Sequence, residues 1–231
     1  MSTAADIIDL LDADPSLLTD AARRTLTITN RGDAYTAGAR GLASRSMTGL
    51  ARTRVTPNML TAAGVALCAL GAVLVYFEHR NELLFFWGGG LAFVVGSILD
   101  ILDGALARAG GKQSAFGGFL DSTLDRVGEG LMLGAIALVF MRDGAELALA
   151  LAIAAIAGSF LVPYARAKAE GLGIKGDVGI GSRAERVVVI SVGLALAPWG
   201  VLPWAIGVLA ATAWFTVLQR ILHVRRELQA G

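Results

Sequence analysis

Two pairs of aspartates lie at helical spacing in the stretch 100–125. Asp100 and Asp103 are three positions apart, and Asp121 and Asp125 are four apart, so each pair falls on one face of a helix. Apolar segments flank the stretch, and an unpaired charge in hydrocarbon is costly. A divalent cation such as Mg²⁺ or Mn²⁺, which takes carboxylate oxygens as ligands, would explain the four acids. Two such ions would stabilise the charge on a transferring phosphoryl group.

The residues between the two pairs suit a phosphate ligand. Arg108 lies about one turn beyond Asp103 and carries a guanidinium that can bind phosphate. Gly104 and Gly117 would let a nucleotide approach the backbone closely. Buried acids also occur in ion-coupled membrane transporters, where they carry protons or cations. The four carboxylates alone support a phosphoryl-transfer site and a transporter equally.

The composition places the chain among polytopic membrane proteins. Of its 231 residues, 55% are hydrophobic, and the mean hydropathy is +0.63. These apolar residues occur in long runs, which is typical of membrane-spanning helices. The net charge of +1 gives no reason to expect a nucleic-acid partner.

Apolar runs separated by polar turns predict an all-α protein with six transmembrane helices. The first run carries no charge and approaches the length of about 20 residues that a bilayer requires. The second helix should continue to Ala109 and the third should start near Ala115, while Pro198 should kink or end the fifth. The predicted spans are about 59–77, 83–109, 115–141, 147–165, 187–202 and 204–219.

The N-terminal part differs from the rest. Residues 1–33 are acidic, and we predict a soluble extension there, to which we assign no chemistry. Residues 34–56 interleave arginines with apolar residues, which predicts an amphipathic helix along the membrane surface. We therefore place the membrane domain at residues 34–231.

The basic residues predict the orientation. Most of them lie in the N-terminal arm, the loop after Ala109, the loop 166–186 and the C-terminus. By the positive-inside rule, we predict that both termini and the acidic stretch face the cytoplasm and that the chain lies in the inner membrane.

The full spacing of the acidic stretch is long and specific: Asp100-x2-Asp103-Gly104-x2-Ala107-Arg108-x8-Gly117-x3-Asp121-x3-Asp125. It resembles the signature of the CDP-alcohol phosphotransferases. The resemblance extends to the six-span layout, the surface helix and Thr56-Pro57-Asn58, so it covers roughly residues 34–226. It implies that a CDP-linked lipid, CDP-diacylglycerol, transfers its phosphatidyl group to an alcohol and releases CMP.

The same resemblance implies residue roles and a homodimer. Asp100, Asp103, Asp121 and Asp125 would hold two Mg²⁺ or Mn²⁺ ions, and Asp125 would be the general base. The residues implied to contact the CDP-lipid are Asn58, Gly104, Arg108, Ser114 and Gly117.

A set of cations at predicted cytoplasmic helix ends suggests an acceptor that bears its own phosphate. Their sequence context is similar to that of bacterial phosphatidylinositol phosphate synthases, which implies myo-inositol 1-phosphate as acceptor. Glycerol 3-phosphate, the acceptor of phosphatidylglycerophosphate synthesis, also suits such a pocket, and an archaeal-type lipid donor is a further alternative. The cations are Arg166, Lys168, Arg183, Arg186 and Arg220.

Overall fold

The computed structural model describes residues 57–109, 114–176 and 178–230, and the side chains of 59–103, 114–176 and 178–229. The acidic extension and the surface helix expected before residue 57 lie outside these ranges. Within them the chain is helical, with no strand.

Six α-helices follow one another. The second helix ends at Ala109 and the third begins at Ala115, which confirms both expected boundaries. Short 3₁₀ turns at Glu78–Arg80 and Ala197–Trp199 connect neighbouring helices. The helices are α1 (Pro57–Tyr76), α2 (Glu82–Ala109), α3 (Ala115–Arg142), α4 (Glu146–Gly171), α5 (Arg183–Ala195) and α6 (Leu202–Ala230).

Four of these helices are long and apolar enough to cross a membrane, so the chain is an integral membrane protein. The candidate spans are Met59–Tyr76, Glu82–Asp103, Glu146–Gly171 and Leu202–Gln229. The more polar α3 and the 13-residue α5 are not among them. At 1.5 Å per residue, α5 is only about 20 Å long, against a hydrocarbon core of about 30 Å. It ends before Pro198, as the sequence predicts.

Glycines bring α1 and α2 into backbone contact. A Cβ atom built on Gly64 would lie 2.8 Å from the carbonyl oxygen of Gly96, and one on Gly71 would lie 2.7 Å from that of Gly89. Side chains therefore cannot separate the two helices at these points, which is the usual role of small residues in membrane helix packing. We call this contact the glycine seam.

The core is apolar and draws on most of the helices. Helix α1 packs against α2 and α3, α4 packs against α3 and α6, and α5 contacts α2 and α6. The largest fully buried hydrophobic side chains are Phe93, Met132, Leu133, Ile136, Ile190, Leu194, Ile206 and Leu209.

The C-terminal end of α3 is tied to the turn after α1. Arg142 pairs with the buried carboxylate of Glu78 and donates a hydrogen bond of 2.8 Å from Nη1 to the carbonyl oxygen of Tyr76. One acid and one arginine thus close this end of the bundle.

Candidate active site

Three carboxylates meet where the last turns of α2 face the first turns of α3. Asp100, Asp103 and Asp121 each offer an oxygen, and these atoms lie within 4.8 Å of one another. Asp100 and Asp103 are buried and Asp121 is partly exposed, so the group opens to one side. Three hard oxygen donors at this separation fit a divalent cation.

Helix α1 supports this group from behind. The Thr61 hydroxyl donates a hydrogen bond to Asp103 Oδ2. At Gly64, a built Cβ would lie 3.6 Å from the backbone nitrogen of Asp100, so the glycine seam reaches the turn that carries the aspartates. Helix α1 therefore contacts the carboxylate of Asp103 and packs against the backbone of α2 at Asp100.

The fourth aspartate has a different partner. The Asp125 carboxylate forms an ion pair with Arg183, with 2.8 Å between Nη2 and Oδ1, and Arg183 also donates from Nη1 to Asp100 Oδ2. A protonated arginine therefore bridges the two helices beside the three-carboxylate group.

A second arginine of α5 is buried one turn further along the helix. Arg186 donates to Glu129 through Nε (2.7 Å to Oε1) and Nη2 (2.9 Å to Oε2), and its Nη1 donates to the carbonyl oxygen of Gly181 at 3.1 Å. Only 7% of the Arg186 side chain and 6% of the Glu129 side chain are exposed. This contact is a fork-shaped, charge-assisted pair within the protein interior.

A capping box starts α5. Ser182 accepts a hydrogen bond from the backbone N–H of Glu185, and the Glu185 carboxylate accepts one of 2.7 Å from the backbone N–H of Ser182. Such reciprocal caps satisfy the free donors of the first turn. The cap thereby defines the start of α5, and Arg183 is the first residue of that helix.

Of the residues expected to contact a CDP-lipid, Ser114 and Gly117 are described in full. Ser114 caps α3 by accepting a hydrogen bond of 2.9 Å from the backbone N–H of Gly117. Asn58 lies in the first turn of α1, and Gly104 and Arg108 lie in the last turns of α2, but the side chains at these positions are outside the described set.

The structure does not gather the five expected acceptor cations into one cluster. Arg183 and Arg186 face the carboxylates of α3, as described above. Arg166 is exposed and pairs with Glu170 four residues later at 2.8 Å.

The other two of the five line a groove of about 510 Å³ between the C-terminal parts of α4 and α6. Lys168 lies 6.0 Å from the ring centroid of Tyr164. Arg220 donates to the carbonyl oxygens of Val162 and Val178.

Sequence reasoning missed two residues that contact the site. Glu129 follows Asp125 by four positions, as Asp125 follows Asp121, so the helical spacing carried a usable signal. Thr61 carried none, because its contact with Asp103 joins residues 42 positions apart.

Comparison with known proteins gives consistent matches. A family model described as CDP-alcohol phosphatidyltransferase matches residues 54–219. An archaetidylinositol phosphate synthase from Pyrococcus horikoshii is 35% identical over 184 residues, which are 79% of this chain and 90% of that protein. A phosphatidylinositol phosphate synthase from Mycolicibacterium smegmatis is 35% identical over 182 residues, which are 75% of this chain and 79% of that protein.

The solved phosphatidylinositol phosphate synthase of Mycobacterium tuberculosis has a similar fold. Its structure with CDP-DAG bound gives a TM-score of 0.70 at 25% identity, covering 79% of this chain and 92% of that chain. Its complex with manganese and citrate gives a TM-score of 0.69 at 26% identity, covering 79% and 88%.

Proposed function

The chain belongs to the CDP-alcohol phosphatidyltransferase family, and on that premise we propose that it transfers the phosphatidyl group of CDP-diacylglycerol to myo-inositol 1-phosphate and releases CMP. The observation that carries the proposal is the group formed by Asp100, Asp103 and Asp121 at the end of the helix bundle. A transferase that handles a diphosphate needs such a concentration of oxygen ligands at the membrane surface. The donor is supported by the M. tuberculosis relative, whose structure contains CDP-DAG.

Asp100, Asp103, Asp121 and Asp125 would hold two divalent ions, Mg²⁺ or Mn²⁺, and the relative solved with manganese supports this assignment. When bound, these ions neutralise the diphosphate and the charge that develops on the departing CMP. The donor set is all carboxylate, which suits hard cations.

The proposed reaction needs one group that accepts the proton of the attacking hydroxyl. Asp125 takes the proton of the acceptor hydroxyl, whose oxygen forms a bond to the phosphorus attached to diacylglycerol. The bond from that phosphorus to CMP then breaks. We assign the CDP-lipid contacts to Asn58, Gly104, Arg108, Ser114 and Gly117.

The choice of acceptor rests on charge and on the names of the relatives. Arg166, Lys168, Arg183 and Arg220 are our candidates for binding the acceptor phosphate. Arg186 is omitted because Glu129 and Gly181 already occupy its guanidinium. The archaeal and bacterial relatives are named for different lipids but share inositol phosphate in their products, which favours that acceptor over glycerol 3-phosphate.

The membrane arrangement is part of the proposal. We infer that α3 and α5 also cross the bilayer, with the 3₁₀ turn Ala197–Trp199 lengthening the path of α5, which gives six transmembrane helices. The active site and both termini would face the cytoplasm of the inner membrane, and the protein would form a homodimer. Residues 1–33 would be a soluble extension, and a surface helix would follow it before α1. Labelling single introduced cysteines from each side of sealed vesicles tests the orientation.

An acceptor panel tests the function. Purified protein in lipid nanodiscs is given CDP-diacylglycerol or its archaeal-type counterpart, with myo-inositol 1-phosphate, glycerol 3-phosphate, serine or free inositol. We expect CMP release that requires Mg²⁺ or Mn²⁺ and is fastest with inositol 1-phosphate. Faster release with glycerol 3-phosphate would favour phosphatidylglycerophosphate synthesis. Folded protein that releases no CMP with any phosphorylated acceptor, but moves ions across vesicles, would instead be a transporter.

A further inference from the structure

Two arginines on α5 face two carboxylates on α3. Asp125 and Glu129 are four residues apart, and Arg183 and Arg186 are three apart, so each set lies on one face of its helix. Arg183 pairs with Asp125, and Arg186 pairs with Glu129. We call the Arg183–Asp125 contact the outer rung and the Arg186–Glu129 contact the inner rung.

The inner rung has little capacity left for a ligand. Each of the three guanidinium nitrogens of Arg186 has a partner within the protein, on Glu129 or on Gly181. Both side chains are more than nine-tenths buried. A phosphate could reach Arg186 only after this contact had been broken, and that would leave Glu129 as an unpaired buried charge.

Stability alone does not require the inner rung. Well-packed apolar residues of similar volume often replace a buried ion pair without loss of stability. Before α5 the chain turns at Gly179 and Gly181, whose φ values of +122° and +134° lie in a region that favours glycine. Thr216 of α6 donates a hydrogen bond to the carbonyl oxygen of Ile180 between them, so this segment is held to α6. The inner rung connects the start of α5 to α3 directly after this glycine-containing segment.

We propose that the inner rung positions Arg183: Glu129 holds Arg186, and this contact sets the place of Arg183 against Asp100 and Asp125. Arg186 acts through Arg183 and is a positioning residue. This inference rests on the proposed function only in giving Arg183 a role next to the reacting groups. The contacts themselves can be tested without turnover.

Metal titration provides such a test. Arg183 pairs with Asp100 and Asp125, two of the proposed metal ligands, so a well-placed Arg183 should compete with a divalent ion for these carboxylates. We expect Arg183→Gln to lower the Kd for Mn²⁺ by roughly 3- to 10-fold in calorimetry without substrates. Glu129→Leu/Arg186→Met should lower it by a similar factor, and the triple variant should gain nothing further. The control is Glu78→Leu/Arg142→Met at the far end of α3, which should keep the parental Kd.

Two results would overturn the proposal. One is a parental Kd for Mn²⁺ in Arg183→Gln, and the other is a parental Kd in folded Glu129→Leu/Arg186→Met. If the apolar double variant does not fold, Arg186→Lys replaces it, because lysine keeps the charge but cannot make the two-point contact with Glu129. A parental Kd for Mn²⁺ in Arg186→Lys would then overturn the proposal.

Turnover assays separate positioning from direct phosphate binding. In an Arg183→Gln background, Arg186→Lys should leave the KM for inositol 1-phosphate within about twofold, because its influence passes through Arg183. A further rise of more than tenfold would make Arg186 an acceptor ligand and contradict the inference. A protein without transferase activity that still showed the expected Mn²⁺ affinities would refute the proposed function and leave the positioning role intact.

Discussion

The two ends of α3 use charge differently. At its C-terminal end, one acid and one arginine, Glu78 and Arg142, pair with each other and close a turn. At its N-terminal end the described side chains include five neighbouring carboxylates but only three guanidinium groups. The acids are Asp100, Asp103, Asp121, Asp125 and Glu129, and the arginines are Arg126, Arg183 and Arg186.

This difference separates a structural ion pair from a binding site. At the far end, the buried carboxylate of Glu78 already has Arg142 as its partner. The acidic end has two more carboxylates than guanidinium groups among the described side chains, and a divalent cation would offset that surplus. In both the inner rung and the far-end pair, the acid is buried and its carboxylate is bound by an arginine. The group formed by Asp100, Asp103 and Asp121 instead opens to one side.

The largest predicted effect is at the acidic end. Asp125→Asn removes the proposed proton acceptor, and we expect turnover to fall by about 10²- to 10⁴-fold, measured as CMP release. The melting temperature should change little, because Arg183 retains its contact with Asp100. Asp143→Asn, an exposed position just beyond α3, is the matched control and should keep parental turnover. Substantial activity in Asp125→Asn would contradict the base assignment.

Divalent ions should protect the acidic end selectively. At a concentration of 100 times its Kd, an ion that binds only the folded state adds about 2.7 kcal/mol to the free energy of unfolding. We expect Mn²⁺ to raise the thermal midpoint of the parent protein and EDTA to reverse the change. Asp103→Asn should abolish the increase, while Glu78→Gln should retain it. An equal increase in Asp103→Asn would place the bound ion elsewhere.

The glycine seam offers a third test. A methyl group on Gly96 would lie 2.6 Å from the carbonyl oxygen of Gly64, so Gly96→Ala must push α1 and α2 apart. We expect a loss of about 1–3 kcal/mol in the free energy of unfolding, together with weaker Mn²⁺ binding, since Asp100 is one turn away. Gly134→Ala is the matched control, because a methyl group there meets no atom within 4 Å. Equal melting temperatures for the two variants would show that the seam tolerates separation.

The smallest effect is expected at the far end. Glu78→Gln leaves Arg142 without its acidic partner but with the carbonyl oxygen of Tyr76. Arg142 is partly exposed, so we expect a loss of about 1 kcal/mol in the free energy of unfolding. CMP release should stay within about twofold of the parent rate. A large loss of turnover would show that the two ends of α3 are coupled.

The sequence was sufficient for what depends on local spacing. It predicts the end of α2 at Ala109 and the start of α3 near Ala115. The three- and four-residue intervals also predict which carboxylates share a helix face. The meeting of Asp100 and Asp103 with Asp121 follows because a short connection brings consecutive helices together.

Contacts between distant helices could not be predicted in the same way. From the sequence, Arg183 and Arg186 are predicted to bind phosphate. The sequence of a basic residue near a predicted membrane surface does not show whether its partner is a ligand or a buried acid. Their pairing with α3 depends on where the packing of α5 against α2 and α6 places its first turn, and the pairs span 58 and 57 residues. No local pattern carries that information. The span count also depends on more than hydropathy, because α3 is polar and α5 is short.

The connection between Arg183 and Asp100 has a consequence for biosynthesis. The two residues are 83 positions apart, so at about 5–20 residues per second a ribosome makes Arg183 roughly 4–17 s after Asp100. During that interval α1 and α2 can already close along the glycine seam, while Asp100 still lacks the arginine with which it pairs in the finished protein. The acidic end is therefore neutralised late in synthesis. A nascent chain that stops before α5 would present unpaired carboxylates to the quality-control machinery of the membrane.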